Sequence, residues 1–277
     1  LEGNLIGTTQ GYNGADILVA SGATASFFSD VGQNVIFNNV VSDATAINPA
    51  LGGGLVAKTG AGTATLTAAG YNLNFAVQQG TLILNDTRAT GAALLPGTVS
   101  SGATFQLNLS SDRTLGAQIL GAGVLDLEAL GAATPTVTVS QQPLVATTNI
   151  GAQVTLDASN ITSLTGVNAA YLSTLNVGSN AGNRTLTITQ NSNGTFSGQF
   201  TGNANLNFAG TGMLLYAANT ANLTPTTPAG NLASFAGAVS ITGGGLAVDV
   251  TNTKAINIAV DPTTSALAVS YTHLTLP

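Results

Sequence analysis

Lys58-Thr59-Gly60-Ala61-Gly62-Thr63-Ala64-Thr65-Leu66-Thr67 leads, past Gly70, to Phe75-Ala76-Val77 and then to Gly80-Thr81-Leu82-Ile83-Leu84. Small or apolar residues alternate with threonine from Thr63 to Thr67, the period of a strand with one face buried. Glycines stand between the runs, where a chain turning a tight corner needs backbone freedom. The same order returns in Ala209-Gly210-Thr211-Gly212-Met213-Leu214-Leu215, then Phe235 to Ile241, then Gly243 to Val248. A weaker third copy begins at Gly121-Ala122-Gly123-Val124-Leu125-Asp126-Leu127. The intervals are uneven, so the repeat is degenerate. Three short strands in a period of roughly 20–25 residues make one rung of a β-solenoid, which buries its apolar column only when rungs stack.

The rest of the chain is written the same way. Thr185-Leu186-Thr187-Ile188-Thr189 and Phe105-Gln106-Leu107-Asn108-Leu109 alternate strictly. Further strands are predicted at 153–157, 205–208, 246–250 and 256–260. The best helical candidate, 115–132, is interrupted by Gly116, Gly121 and Gly123, each costing about 1 kcal/mol in a helix interior, so strands and turns are expected there. The expected fold is therefore all-β, a right-handed parallel β-helix. An antiparallel β-sandwich is the alternative. It is disfavoured because Asn13-Gly14 and Asn193-Gly194 are the only two-residue hairpin signals of their kind.

Composition narrows the function. Charged residues make up 6% of the chain, against roughly 25% in ordinary soluble domains. A hydrophobic content of 44% nevertheless supplies a core, which disordered chains lack. Net charge is −6, and the five basic residues Lys58, Arg88, Arg113, Arg184 and Lys254 form no cluster in sequence. Nucleic acid is not an expected partner, because phosphate binding rests on grouped cations. Cysteine is absent, which excludes disulfides, thiolate metal sites and thiol catalysis and suits a chain crossing an oxidising compartment unfolded. No apolar run reaches the roughly 18–20 residues of a membrane-spanning helix. The chain reads as an internal piece of a longer protein, with residues 1–269 a single β-helical fragment and 270–277 a non-native tail.

The stretch from Gly53 to Asn85 resembles the autotransporter-associated β-strand repeat. Lys58 to Thr63 stands for its Lys-Thr-Gly-rich opening, Leu66-Thr67 for its strand, Tyr71-Asn72 for its turn and Gly80 to Leu84 for its closing strand. The usual Thr-Tyr-Thr-Gly turn is replaced by Tyr71-Asn72-Leu73-Asn74, and the second copy lacks the Lys-Thr opening. The resemblance implies a passenger region exported by a C-terminal outer-membrane barrel that is not in this sequence. It also implies a place outside the cell or at the surface of a Gram-negative bacterium.

Chemistry-bearing residues are few. His273, the single histidine, falls in the tail and is assigned no role; one imidazole supports neither a triad nor a zinc site. Asp126 and Glu128 are two apart and share one strand face, an arrangement a glycoside hydrolase could use, although an exposed acidic pair is the plainer reading. Asp86 and Asp112 read as solvated turn residues beside Arg88 and Arg113. Gly243-Gly244-Gly245 with Asp249 is not read as a calcium-binding glycine repeat, which needs its Gly-Gly-x-Gly-x-Asp spacing several times over. The Gly-x-Gly pairs at Gly60, Gly121 and Gly210 read as corners. No catalytic, cofactor or metal residue is assigned. The expected function is a stalk or adhesin that is not an enzyme, touching host-cell surfaces, glycans or neighbouring cells through weak multivalent contacts. A carbohydrate-active β-helix enzyme is the alternative.

Overall fold

The computed structural model describes residues 4–6, 17–43, 54–69, 73–87, 93–94, 97–216, 235–249, 258–260 and 265–270. Strands are the only regular elements among them, and they pair in parallel. The fold is a parallel β-solenoid; parallel pairing excludes the sandwich, whose strands run antiparallel.

The chain forms two compact units: Leu1–Pro135 with Pro143–Ala146, and Thr136–Gln142 with Thr147–Pro277. In the first unit one sheet contains Asn4–Ile6, Thr24–Phe28, Leu55–Thr59, Asn74–Val77, Gly97–Val99 and Ile119–Leu120. A longer face contains Ile17–Val19, Asn34–Asp43, Thr63–Ala69, Thr81–Asp86, Thr104–Leu109 and Val124–Ala129. Ala93–Leu94 and Arg113–Leu115 form a short third face. In the second unit three faces recur, exemplified by Thr155–Asp157, Thr185–Gln190 and Met213–Tyr216.

Register explains why these sequences stack. Leu66, Leu84, Leu107 and Leu127 pair in one inward column, and Ala64, Leu82, Phe105 and Leu125 in the next. All eight are buried. A slip of one residue would turn a whole column outward, so burial fixes the register. Phe75 stacks on Phe105 with ring centroids 5.4 Å apart. In the second unit Phe196 and Phe200 stack at 4.1 Å.

The expected glycine corners are corners. Gly60, Gly121 and Gly210 have φ of 75°, 118° and 102°. Gly80 shows why a side chain is excluded: its φ is 64°, and a Cβ there would lie 2.2 Å from the carbonyl oxygen of Gly62. The segment from Leu115 to Ala132 forms strands and turns, as its glycines predict.

The repeat differs from its sequence reading in one respect. Thr63–Ala69 and Thr81–Asp86, the first and last strands of one copy, are paired neighbours in a single sheet. Met213–Tyr216 and Gly244–Asp249 are likewise neighbours in the second copy. Each copy therefore runs past one full turn of the solenoid, because its closing strand already belongs to the next turn. Tyr71-Asn72 lies outside the described residues.

Candidate functional site

Side chains alternate out of the long face of the first unit and present registered columns that are polar apart from Ile83. Thr63, Thr81 and Thr104 form one, Thr65, Ile83, Gln106 and Asp126 a second, and Asn85, Asn108 and Glu128 a third. The amides are tied together: Asn108 Nδ2 donates to Asn85 Oδ1 at 2.8 Å, and Gln106 Nε2 donates to Asn108 Oδ1 at 2.8 Å. The second unit repeats the device, with Asn168 Nδ2 donating to Asn149 Oδ1 at 3.0 Å and Asn176 Nδ2 to Asp157 Oδ1 at 3.2 Å. The Asn85–Asn108 and Asn149–Asn168 bonds satisfy amides against their own equivalents one turn away.

Asp126 and Glu128 lie on Val124–Ala129 and alternate with the buried Leu125 and Leu127, so both project outward from one face. Two residues along a strand separate their Cα atoms by about 6.6 Å. Burial, and then the neighbouring Asp126 carboxylate, raise the Glu128 pKa above the usual carboxyl range. Two carboxyls on one strand face, one with its pKa pushed upward, are the residue types that general-acid chemistry at a glycosidic bond uses.

The cations take up internal positions that sequence reading missed. Lys58 is fully buried in the inward column between Phe27 and Val77. Its Nζ donates to the carbonyl oxygens of Gly60 at 2.6 Å, Thr59 at 2.7 Å and Gln79 at 3.3 Å. Removal from water lowers its pKa to about 8. Asp86 and Arg113 are not solvated turn residues: both are buried. Arg113 Nε donates to Asp86 Oδ2 at 2.6 Å and Nη2 to Oδ1 at 2.8 Å, while Nη1 donates to the Asp112 carbonyl oxygen at 2.8 Å. Arg184 donates from Nη1 to the carbonyl oxygen of Val177 and from Nη2 to those of Ala158 and Ile161. All three cations thus bond backbone oxygens at or beside corners. The signal was available for Lys58 and for the carboxylate partner of Arg113, because Lys58 follows Val56 and Asp86 follows Leu82 and Leu84 at inward period-two positions.

His273, Arg88 and Lys254 lie outside the described residues, as does the tail beyond Ser270. Among the described residues no group of three or more His, Cys, Asp or Glu side chains could hold a metal ion. No protein-family model, curated protein or solved structure matches the chain.

Proposed function

We propose that this chain is a structural or adhesive segment of a bacterial passenger region, exported to the cell surface and acting as a stalk or adhesin without catalysis. The observation that carries the reading is the contrast between inside and outside. Three described cations bond internal oxygens, whereas the outer columns offer mostly Thr, Asn and Gln in register. A repeated, nearly uncharged face suits many weak contacts rather than one deep site. The absence of cysteine is compatible with export in an unfolded state.

The test is display. The 277-residue chain, joined upstream of an outer-membrane barrel in a Gram-negative host, is expected to reach the surface and to confer adhesion or leave a protease-resistant core. Retention inside the cell would overturn the reading.

The raised Glu128 beside Asp126 favours a second reading, a carbohydrate-active enzyme in which Glu128 donates a proton and Asp126 stabilises developing charge. Release of reducing ends from polysaccharide, abolished in D126N and E128Q, would establish it in place of the first.

A further inference from the structure

Four-residue turns close several corners, and in a group of them the third position carries positive φ. In Ala20–Ala23, Asp30–Gln33 and Ser100–Ala103 that residue is Gly22, Gly32 or Gly102, with φ of 75–78°. Each turn closes with a hydrogen bond from the fourth N–H to the first carbonyl, 2.9–3.0 Å long. Glycine belongs there because other residues meet a steric penalty.

Two turns of the second unit break this rule together. Gly151–Val154 and Ala170–Ser173 close with the same bond at 3.2 Å, yet their third residues are Gln153 and Leu172, both at φ 65°. The flanking pairs Ile150–Ala169 and Thr155–Thr174 are in register, so the turns stack with Gln153 against Leu172 and Ala152 against Tyr171. A bulky residue at positive φ is a genuine outlier, and strain of this kind persists where something else requires the side chain. Burial does not require it here: Leu172 is 51% exposed, and Ala152 and Gln153 are also exposed.

We infer that the stacked turns Gly151–Val154 and Ala170–Ser173 form a recognition tip for a neutral glycan. The two turns contain no charged residue, which disfavours an ionic ligand. Tyr171 and Leu172 supply apolar surface for the C–H face of a pyranose, and the Gln153 amide and Tyr171 hydroxyl supply donors and acceptors for its hydroxyl groups. The inference rests on the adhesive reading above and names its ligand class.

The test is affinity electrophoresis of the full chain through gels containing mannan, dextran or a soluble β-glucan, with heparin as the anionic comparison. At least one neutral polysaccharide is expected to retard the chain. Y171A and L172G should each weaken that retardation at least tenfold. L172G separates function from fold, because it relieves the positive-φ strain: its Tm should rise by roughly 2 °C while binding is lost. Retardation by heparin alone, by none of the four, or unchanged in L172G overturns the inference. So does binding to cells that survives enzymatic removal of their surface glycans. Surface display without glycan binding would sink the tip and leave the adhesive reading standing, whereas failed display would sink the broader reading.

Discussion

Lys58 and Arg113 are both buried cations in the first unit, and the fold accommodates them differently. Arg113 faces a carboxylate, with two bonds to Asp86 of 2.6 and 2.8 Å. Lys58 bonds three carbonyl oxygens, each a partial charge. A carboxylate offsets the loss of hydration through a full opposite charge; carbonyl dipoles do so in part. Burial pulls the Lys58 pKa down to about 8. Arg113–Asp86 ties strand Arg113–Leu115 to the end of Thr81–Asp86, so its loss would expose an unpartnered charge. Lys58 is closer to a corner brace, holding Gly60 to Gln79 across one turn of the solenoid.

The largest effect should come from breaking the ion pair on one side only. D86A leaves the Arg113 guanidinium buried without its carboxylate, and a cost of about 3–5 kcal/mol is expected in urea denaturation. The double variant D86L/R113M should recover most of that loss, since apolar replacements of both partners are often neutral. A double variant no more stable than D86A would mean that the bonds from Arg113 to Asp112 and Ser111 carry the corner instead. K58M is expected to cost less, about 1–3 kcal/mol, as three carbonyls lose a donor but no charge is stranded. A K58M loss as large as that of D86A would erase the distinction between the two cations.

How much of this was readable beforehand depends on the residue. Thr185–Gln190 and Thr104–Leu109 were legible because alternation with period two is written in each strand without reference to its neighbours. Gly60, Gly121 and Gly210 were legible as corners for the same local reason. The partnership of Asp86 with Arg113 was not, because it spans 27 residues and one solenoid turn of uneven length. Sequence proximity placed Asp86 with Arg88, and only the register of Thr81–Asp86 on Thr104–Leu109 brings the right partner round. Lys58 could have been placed inward by its spacing from Val56, but charge argued for the surface and prevailed. The outward placement of Asp126 and Glu128 follows from their spacing, whereas the raised Glu128 depends on burial that no spacing encodes. Gln153 and Leu172 were opaque, since nothing in Gly151-Ala152-Gln153-Val154 marks a turn that elsewhere uses glycine.

The smallest expected effect is also the one that best separates the two cations, because it reads protonation. In the fold Lys58 releases its proton near pH 8, and in the unfolded chain at the ordinary 10.5. Between those values the unfolded chain holds more protons, so raising the pH favours the folded state. Stability should therefore climb by on the order of 1–2 kcal/mol from pH 8 to 10. Tyr216 in the second unit acts with the opposite sign. Burial raises its pKa above the ordinary 10, so above pH 10 the unfolded chain loses the phenolic proton first and stability falls. The stability of the native sequence should pass through a maximum near pH 10. K58M should be flat up to that pH, D86L/R113M should keep the rise, and Y216F should lose the fall. A rise that survives in K58M would assign it to another group.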